Sequence, residues 1–165
     1  KGISTLIDAL SLWTGNILTV AGSGPLEYLI DDVKIRFLGW RDASKLQELM
    51  RKASYLVLPS ICYDNFPRTL IESFSSGLPV IASRIGALPE IIEDYRTGLL
   101  FEPSSSEDLA RKMNWADKNP IAMRKMGENS REEYLSKYSP EINYKMLISI
   151  YQEAISAQYL RRRSV

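Results

Sequence analysis

Five short apolar runs, each stopped by glycine, proline or a polar cluster, alternate with longer segments whose apolar residues recur every three or four positions. That alternation belongs to an α/β domain, in which helices cross over between parallel strands. Ile3, Leu6, Ile7 and Leu10 predict a helix over 3–12, and the next run, 17–21, reads as a buried strand stopped by Gly22-Ser23-Gly24-Pro25. A second strand over 35–38 is closed by Gly39, after which Asp42 or Ser44 can cap a helix carrying Leu46, Leu49, Met50 and Ala53. Residues 55–59 form the third strand. A polar loop leads to Phe66, and Pro67 stands where a helix begins, with Leu70, Ile71 and Phe74 on its buried face and Gly77 at its end. Strands over 79–82 and 98–101 follow, separated by a short helix over 89–92.

After Pro103 the pattern is helical only. Ser106 is the expected N-cap for a helix with Leu109, Met113 and Ala116, Pro120 opens another, and Pro140 opens the last. That last helix carries an apolar stripe of Tyr144, Leu147, Ile148, Tyr151, Ile155 and Tyr159, and Arg161-Arg162-Arg163 read as a solvated tail. The expected organisation is one domain, a doubly wound parallel sheet over 1–140 with residues 141–165 as its C-terminal amphipathic helix and basic tail.

The chain opens with a helix, whereas doubly wound units begin with their central strand. A first strand is therefore expected upstream of Lys1, in a longer polypeptide. Without it, the strands over 17–21 and 55–59 face each other with unpaired edges.

Composition narrows the chemistry. With 165 residues, 45% of them hydrophobic, the chain can bury one sizeable core. Its net charge of +1 leaves no field to hold nucleic acid non-specifically. A single cysteine, Cys62, excludes a disulfide framework within the chain and a Cys-rich zinc site, and the lack of histidine excludes a Ser-His-Asp triad. No metal site is expected. No apolar run approaches the ~20 residues of a membrane helix, and Lys1-Gly2-Ile3-Ser4 is not a signal peptide, so a cytoplasmic protein is expected.

In an open α/β sheet, ligands bind beyond the carboxyl ends of the strands. The most polar such place follows the third strand, from Ser60 to Glu72. A helix starting near Pro67 directs the amides of Arg68, Thr69 and Leu70 into the crevice, where its positive end suits a phosphate. Glu72 lies close enough to that end to accept two ribose hydroxyls, and Asp64, on the loop, can bond a sugar hydroxyl or offset charge at a sugar carbon. Taken singly, Asp64 and Asn65 read as turn residues, Glu72 as a solvated helix carboxylate, and Cys62 as a small buried apolar side chain. Gly22-Ser23-Gly24-Pro25 lacks the Gly-Lys-Ser/Thr of a phosphate loop and reads as a plain turn.

Taken together, these segments form a pattern. Leu18-Thr19-Val20-Ala21-Gly22-Ser23-Gly24-Pro25, Phe37-Leu38-Gly39, Leu58-Pro59-Ser60, Tyr63-Asp64-Asn65-Phe66-Pro67, Leu70-Ile71-Glu72, Gly77-Leu78-Pro79-Val80-Ile81-Ala82-Ser83 and Thr97-Gly98-Leu99-Leu100-Phe101 follow one another in order. The chain resembles the C-terminal, donor-binding half of the retaining GT-B glycosyltransferases of the group-1 class. The family motif is a Glu, seven residues, then a second Glu. Glu72 occupies the second position, which by resemblance bonds the ribose, and Asp64 stands where the family has the Glu that contacts the transferred sugar. The resemblance further implies that amides at Phe66, Arg68 and Thr69 hold sugar and diphosphate, that Lys1 neutralises the diphosphate, and that the backbone around Arg41 reads the base.

The reaction so implied moves a glycosyl group from a nucleoside diphosphate sugar to an acceptor hydroxyl with retention, by front-face attack in which the departing phosphate takes the acceptor's proton. Donor sugar is a substrate, and no cofactor is implied. The acceptor site would lie in an N-terminal domain outside these residues, leaving the 165 residues inactive by themselves, and the full-length protein would be open to peripheral association with the inner membrane face. Two other classes of function share the nucleotide-sugar site: an epimerase of related two-domain architecture, and a binding module without chemistry.

Overall fold

The computed structural model describes residues 1–30 and 32–163, with residues 158–163 described by their backbone alone. Helix α1 (Ile3–Leu12) leads to strand β1 (Leu18–Val20), a 3-10 turn (Glu27–Leu29), β2 (Ile35–Phe37) and α2 (Ala43–Lys52). Strand β3 (Leu56–Leu58), α3 (Arg68–Ser75), β4 (Val80–Ser83), α4 (Leu88–Ile91) and β5 (Gly98–Phe101) follow. Helices α5 (Ser106–Lys118) and α6 (Pro120–Glu133), a π-helical turn (Tyr134–Tyr138) and α7 (Pro140–Arg163) complete the chain.

All strand pairs are parallel, in two sheets: β1-β2, with Leu18 opposite Ile35, and β3-β4-β5, with Leu56 opposite Val80 and Val80 opposite Gly98. The α/β architecture is as expected, but the sheet is divided, because β1 and β3 share no ladder among the described residues. These are the two edges that the order of elements leaves unpaired.

Strand β4 lies between β3 and β5, and its side chains alternate between two apolar layers. Ile81, with Leu99 and Phe101 of β5, packs on Leu6, Leu10 and Trp13 of the α1 side and on Leu109 and Met113 of α5. Val80, Ala82 and Leu100 point the other way, onto Leu70 and Phe74 of α3 and Leu88 and Ile92. Strand β1 behaves differently from the buried strand expected at 17–21. Ile17 and Thr19 are exposed, since only Leu18 and Ile35 of the β1-β2 sheet reach the α1/α5 layer.

Local signals place most helix starts. The Asp42 carboxylate accepts the Lys45 amide at 2.8 Å, which selects Asp42 over Ser44 as the α2 cap. The α5 cap is Ser105, not Ser106: Ser105 is extended (φ −89°, ψ 105°) and its hydroxyl accepts the Asp108 amide at 3.1 Å, whereas Ser106 is already helical. In α3, Leu70 and Phe74 are buried as expected, but the third buried position is Ser73, not Ile71; its hydroxyl donates to the Leu78 carbonyl at 2.8 Å.

The stripe on α7 is exposed at Tyr144, Leu147, Tyr151 and Ile155, while Ile148 is half-buried. The side chains of Tyr159 and the tail arginines 161–163 lie outside the described residues. Among the described residues no helix is long and apolar enough to cross a membrane.

Candidate functional site

The site is built where three chain segments meet beyond the carboxyl ends of β3 and β4. The first is Lys1-Gly2, at the start of α1. Gly2 adopts φ +78°, a left-handed conformation costly for other residues, and the Pro59 carbonyl fills the space a Cβ there would need. The residue before α1 is thereby fixed against the end of β3.

The second segment is the loop from Ser60 to Pro67. Its start is held by β4, since the buried Ser83 hydroxyl donates to the Ser60 carbonyl at 2.5 Å, and the Ser60 hydroxyl donates onward to the Cys62 carbonyl at 3.2 Å. Cys62 itself is exposed, contrary to the buried position expected, because it sits on the loop outside both apolar layers. The third segment, Ile85-Gly86-Ala87, lies against Asp64. The Ala87 amide donates to the Asp64 carbonyl at 3.3 Å, and a Cβ at Gly86 (φ +57°) would meet the Asp64 amide nitrogen at 3.1 Å. Gly86 carries no functional pattern in the sequence, and Ser83 enters it only as the last residue of the run from Gly77 that closes β4.

At this junction the Lys1 ammonium donates to both carboxylate oxygens of Asp64, at 2.8 Å to Oδ1 and 2.7 Å to Oδ2. The hydrogen bond to Asp64 raises the Lys1 pKa above its ordinary value; slight burial opposes the shift, and the charge on Asp64 and neighbouring Cys62 add to it. Lys1 is therefore a charged ammonium throughout the neutral range.

Helix α3 starts beside this pair. The Leu70 amide, expected to be free, is taken by the Pro67 carbonyl at 3.0 Å, as the first turn tightens. Among the described residues, the amides of Phe66, Arg68 and Thr69 have no protein acceptor, and the last two stand at the positive end of the helix. Glu72 is half-exposed one turn further, with its Oε1 3.8 Å from the Arg68 guanidinium.

Arg41 lies past the end of β2, just before the α2 cap Asp42, and its Nη1 donates to the Trp40 carbonyl at 2.7 Å. The two strand ends of that sheet are tied together by the Gly22 amide, which donates to the Gly39 carbonyl at 2.9 Å. The turn expected over 22–25 starts only at Gly24, whose carbonyl accepts the Glu27 amide at 3.2 Å across Pro25 and Leu26, while Gly22 and Ser23 are irregular. It runs into the 3-10 turn, with the Gly24 amide donating to the Glu27 carboxylate at 2.8 Å. The structure thus brings Lys1 and Asp64 into contact, sets the Arg68 and Thr69 amides and Glu72 on the adjoining helix, and leaves Arg41 in the loop between β2 and α2.

This arrangement can accept an anion at the α3 amides and Lys1, and it can accept hydroxyl hydrogens at two carboxylates. Known proteins share both the sequence and the fold. The chain is 31% identical to an uncharacterized glycosyltransferase, MJ1178, of Methanocaldococcus jannaschii, over 93% of this chain and 45% of that protein. Its structure matches sucrose-phosphate synthase from Thermosynechococcus elongatus with a TM-score of 0.86 at 28% identity, over 95% of this chain and 43% of the other. The fold also matches Anabaena Alr3699/HepE, solved in complex with UDP-glucose, with a TM-score of 0.81 at 23% identity, over 92% of this chain and 45% of that one. The chain spans less than half the length of these proteins. Its architecture is that of a GT-B half-domain. The family model for glycosyl transferases group 1 matches residues 1–133, and with the relative above it establishes that this chain belongs to the group 1 glycosyltransferases.

Proposed function

We propose that the chain is the donor-binding half of a retaining glycosyltransferase that uses a nucleoside diphosphate sugar. The observation that carries this reading is the junction of Lys1, Asp64 and the α3 start: one ammonium and three unpartnered amides beside two carboxylates. The diphosphate sits on Lys1 and the amides of Phe66, Arg68 and Thr69. Glu72 accepts the ribose hydroxyls, Asp64 faces the transferred sugar, and the backbone around Arg41 meets the base. A fold neighbour that holds UDP-glucose supports a nucleotide sugar as the ligand of this architecture.

In the reaction the bond from the anomeric carbon to the diphosphate oxygen breaks, and the acceptor oxygen bonds to the same face of that carbon. The acceptor's proton passes to the departing phosphate oxygen. Lys1 and the amides stabilise the charge that develops on the leaving diphosphate, and the amides of Arg68 and Thr69, fixed at the start of α3, need no reorganisation as it forms. The acceptor binds on polypeptide beyond these 165 residues, which by themselves are inactive.

The test uses the full-length protein with a panel of UDP-, GDP- and ADP-sugars and an acceptor panel, following product by NMR. Transfer with the anomeric configuration kept is the expected result. Inversion would overturn the retaining assignment; release of an epimerised nucleotide sugar, or binding without turnover across the panels, would overturn transfer itself.

A further inference from the structure

Lys1 and Asp64 are asked to face different parts of one donor, the diphosphate and the sugar, yet in the free protein they face each other. Both Asp64 oxygens lie within 2.8 Å of the same ammonium, so the carboxylate is engaged on both sides. The contact is accessible, with 73% of the Lys1 side chain and 34% of Asp64 exposed, so a ligand in the crevice can reach it. The two backbones are held independently, Lys1-Gly2 against Pro59 and Asp64 against Gly86 and Ala87. Partner exchange therefore needs only side-chain rotation. Among the described residues Asp64 is the only carboxylate in ion-pair contact with Lys1.

A diphosphate is a second anion for the same ammonium. We propose that Asp64 is the internal competitor for the diphosphate at Lys1, a role that rests on the assignment of Lys1 to the diphosphate above. When the donor's diphosphate takes Lys1, the Asp64 carboxylate is released and its oxygens become acceptors for sugar hydroxyls. After transfer the sugar has left with the acceptor, Asp64 has lost its new partners, and it reclaims Lys1 from the nucleoside diphosphate. The pair thus favours the intact donor over the product and speeds product release. No bond is made or broken in the exchange, and charge is conserved, since one anion replaces another at a single cation.

The test is a double-mutant cycle in the full-length protein, reading by calorimetry the affinity for whichever of UDP, GDP and ADP binds best. Lys1→Met should weaken binding. Asp64→Asn should tighten it, about fivefold at low salt by the worth of an exposed ion pair, and the gain should shrink as salt screens the pair. In the Lys1→Met background Asp64→Asn should leave affinity unchanged. An Asp64→Asn that weakens binding or leaves it unchanged with Lys1 present overturns the proposal. So does equal tightening in both backgrounds, which would mean simple repulsion between Asp64 and the diphosphate. If Lys1→Met has no effect, or none of the three diphosphates binds, the assignment of Lys1 fails and the exchange fails with it. Unchanged thermal melting of the variants excludes unfolding as the source of any difference.

Discussion

The carbonyl of Pro59, at the end of β3, occupies the space in which a side chain on Gly2 would begin. A glycine is thus the hinge pin between the start of α1 and the loop that carries Asp64. Gly2→Ala should destabilise the fold by at least about 1–2 kcal/mol from the left-handed backbone alone, before any overlap with Pro59. The same change should weaken nucleoside diphosphate binding, because it displaces Lys1. Urea denaturation and calorimetry on the full-length protein check both effects; an unchanged midpoint would show that the backbone here relaxes freely.

The two carboxylates should separate by what they bind. Glu72→Ala should weaken free diphosphate binding by about 1.5–3 kcal/mol for each ribose hydrogen bond lost. Asp64→Asn should instead lower turnover by tenfold or more, the worth of one charge-assisted bond of about 1.5 kcal/mol, while diphosphate affinity does not fall. Asp64→Glu should retain activity, since the carboxylate is kept on a longer arm. Steady-state kinetics paired with titration calorimetry distinguish these outcomes, and loss of diphosphate affinity in Asp64→Asn would contradict the division.

Away from the site, one carboxylate joins three elements. Asp117 of α5 accepts the Trp13 indole N–H at 2.6 Å and the Tyr55 hydroxyl at 3.1 Å. Burial, with the nearby Asp117 charge and hydrogen bond, raises the Tyr55 pKa, so its hydroxyl stays protonated and donating. Asp117→Ala leaves the indole N–H of the buried Trp13 without its acceptor and should cost about 1–3 kcal/mol. Tyr55→Phe should cost less, because that hydroxyl is the more exposed partner. Equal losses from the two variants would contradict this ranking.

Stability should fall in acid partly through Glu133. Hydrogen bonds from Lys137 and Arg96, at 2.7 and 2.8 Å, hold its carboxyl below the usual range, with partial burial opposing them. A depressed folded-state pKa gives stability that is full above the unfolded value of about 4.3 and is lost as pH drops through the folded one. Glu133→Gln should therefore flatten the decline in melting temperature below about pH 4.3 and lower stability at pH 7. A parallel acid profile in the variant would exclude Glu133 as a contributor.

The outer stripe of α7 should drive association. Tyr144, Leu147, Tyr151 and Ile155 recur at helical spacing and are all exposed, from 41% at Leu147 to 65% at Tyr144. The 165-residue chain should self-associate at micromolar concentration, and Leu147→Ser with Tyr151→Ser should return it to monomer in sedimentation velocity. A monomeric parent chain would show that the stripe is too narrow to hold a second copy.

Much of the architecture is legible in near-neighbour spacing. Helix α1 follows from Ile3, Leu6, Ile7 and Leu10, β4 and β5 from their apolar runs, and the α3 start from Pro67, because periodicity and capping are set by residues within a turn or two of one another. The positions of Asp64 and Glu72 on a loop and the following helix are equally local. Tertiary structure decided what those residues touch. Lys1 and Asp64 are 63 positions apart, and their contact depends on the order of parallel strands and on Gly2, Ser83 and Gly86, each holding a backbone that no local pattern constrains. The same holds for burial: Ile17 and Ile81 both sit in apolar runs, but only Ile81 lies on a strand flanked on both sides, so one is exposed and the other is core. Spacing along the chain determines which elements form; the sheet order and the close approach of distant backbones determine which of their side chains meet.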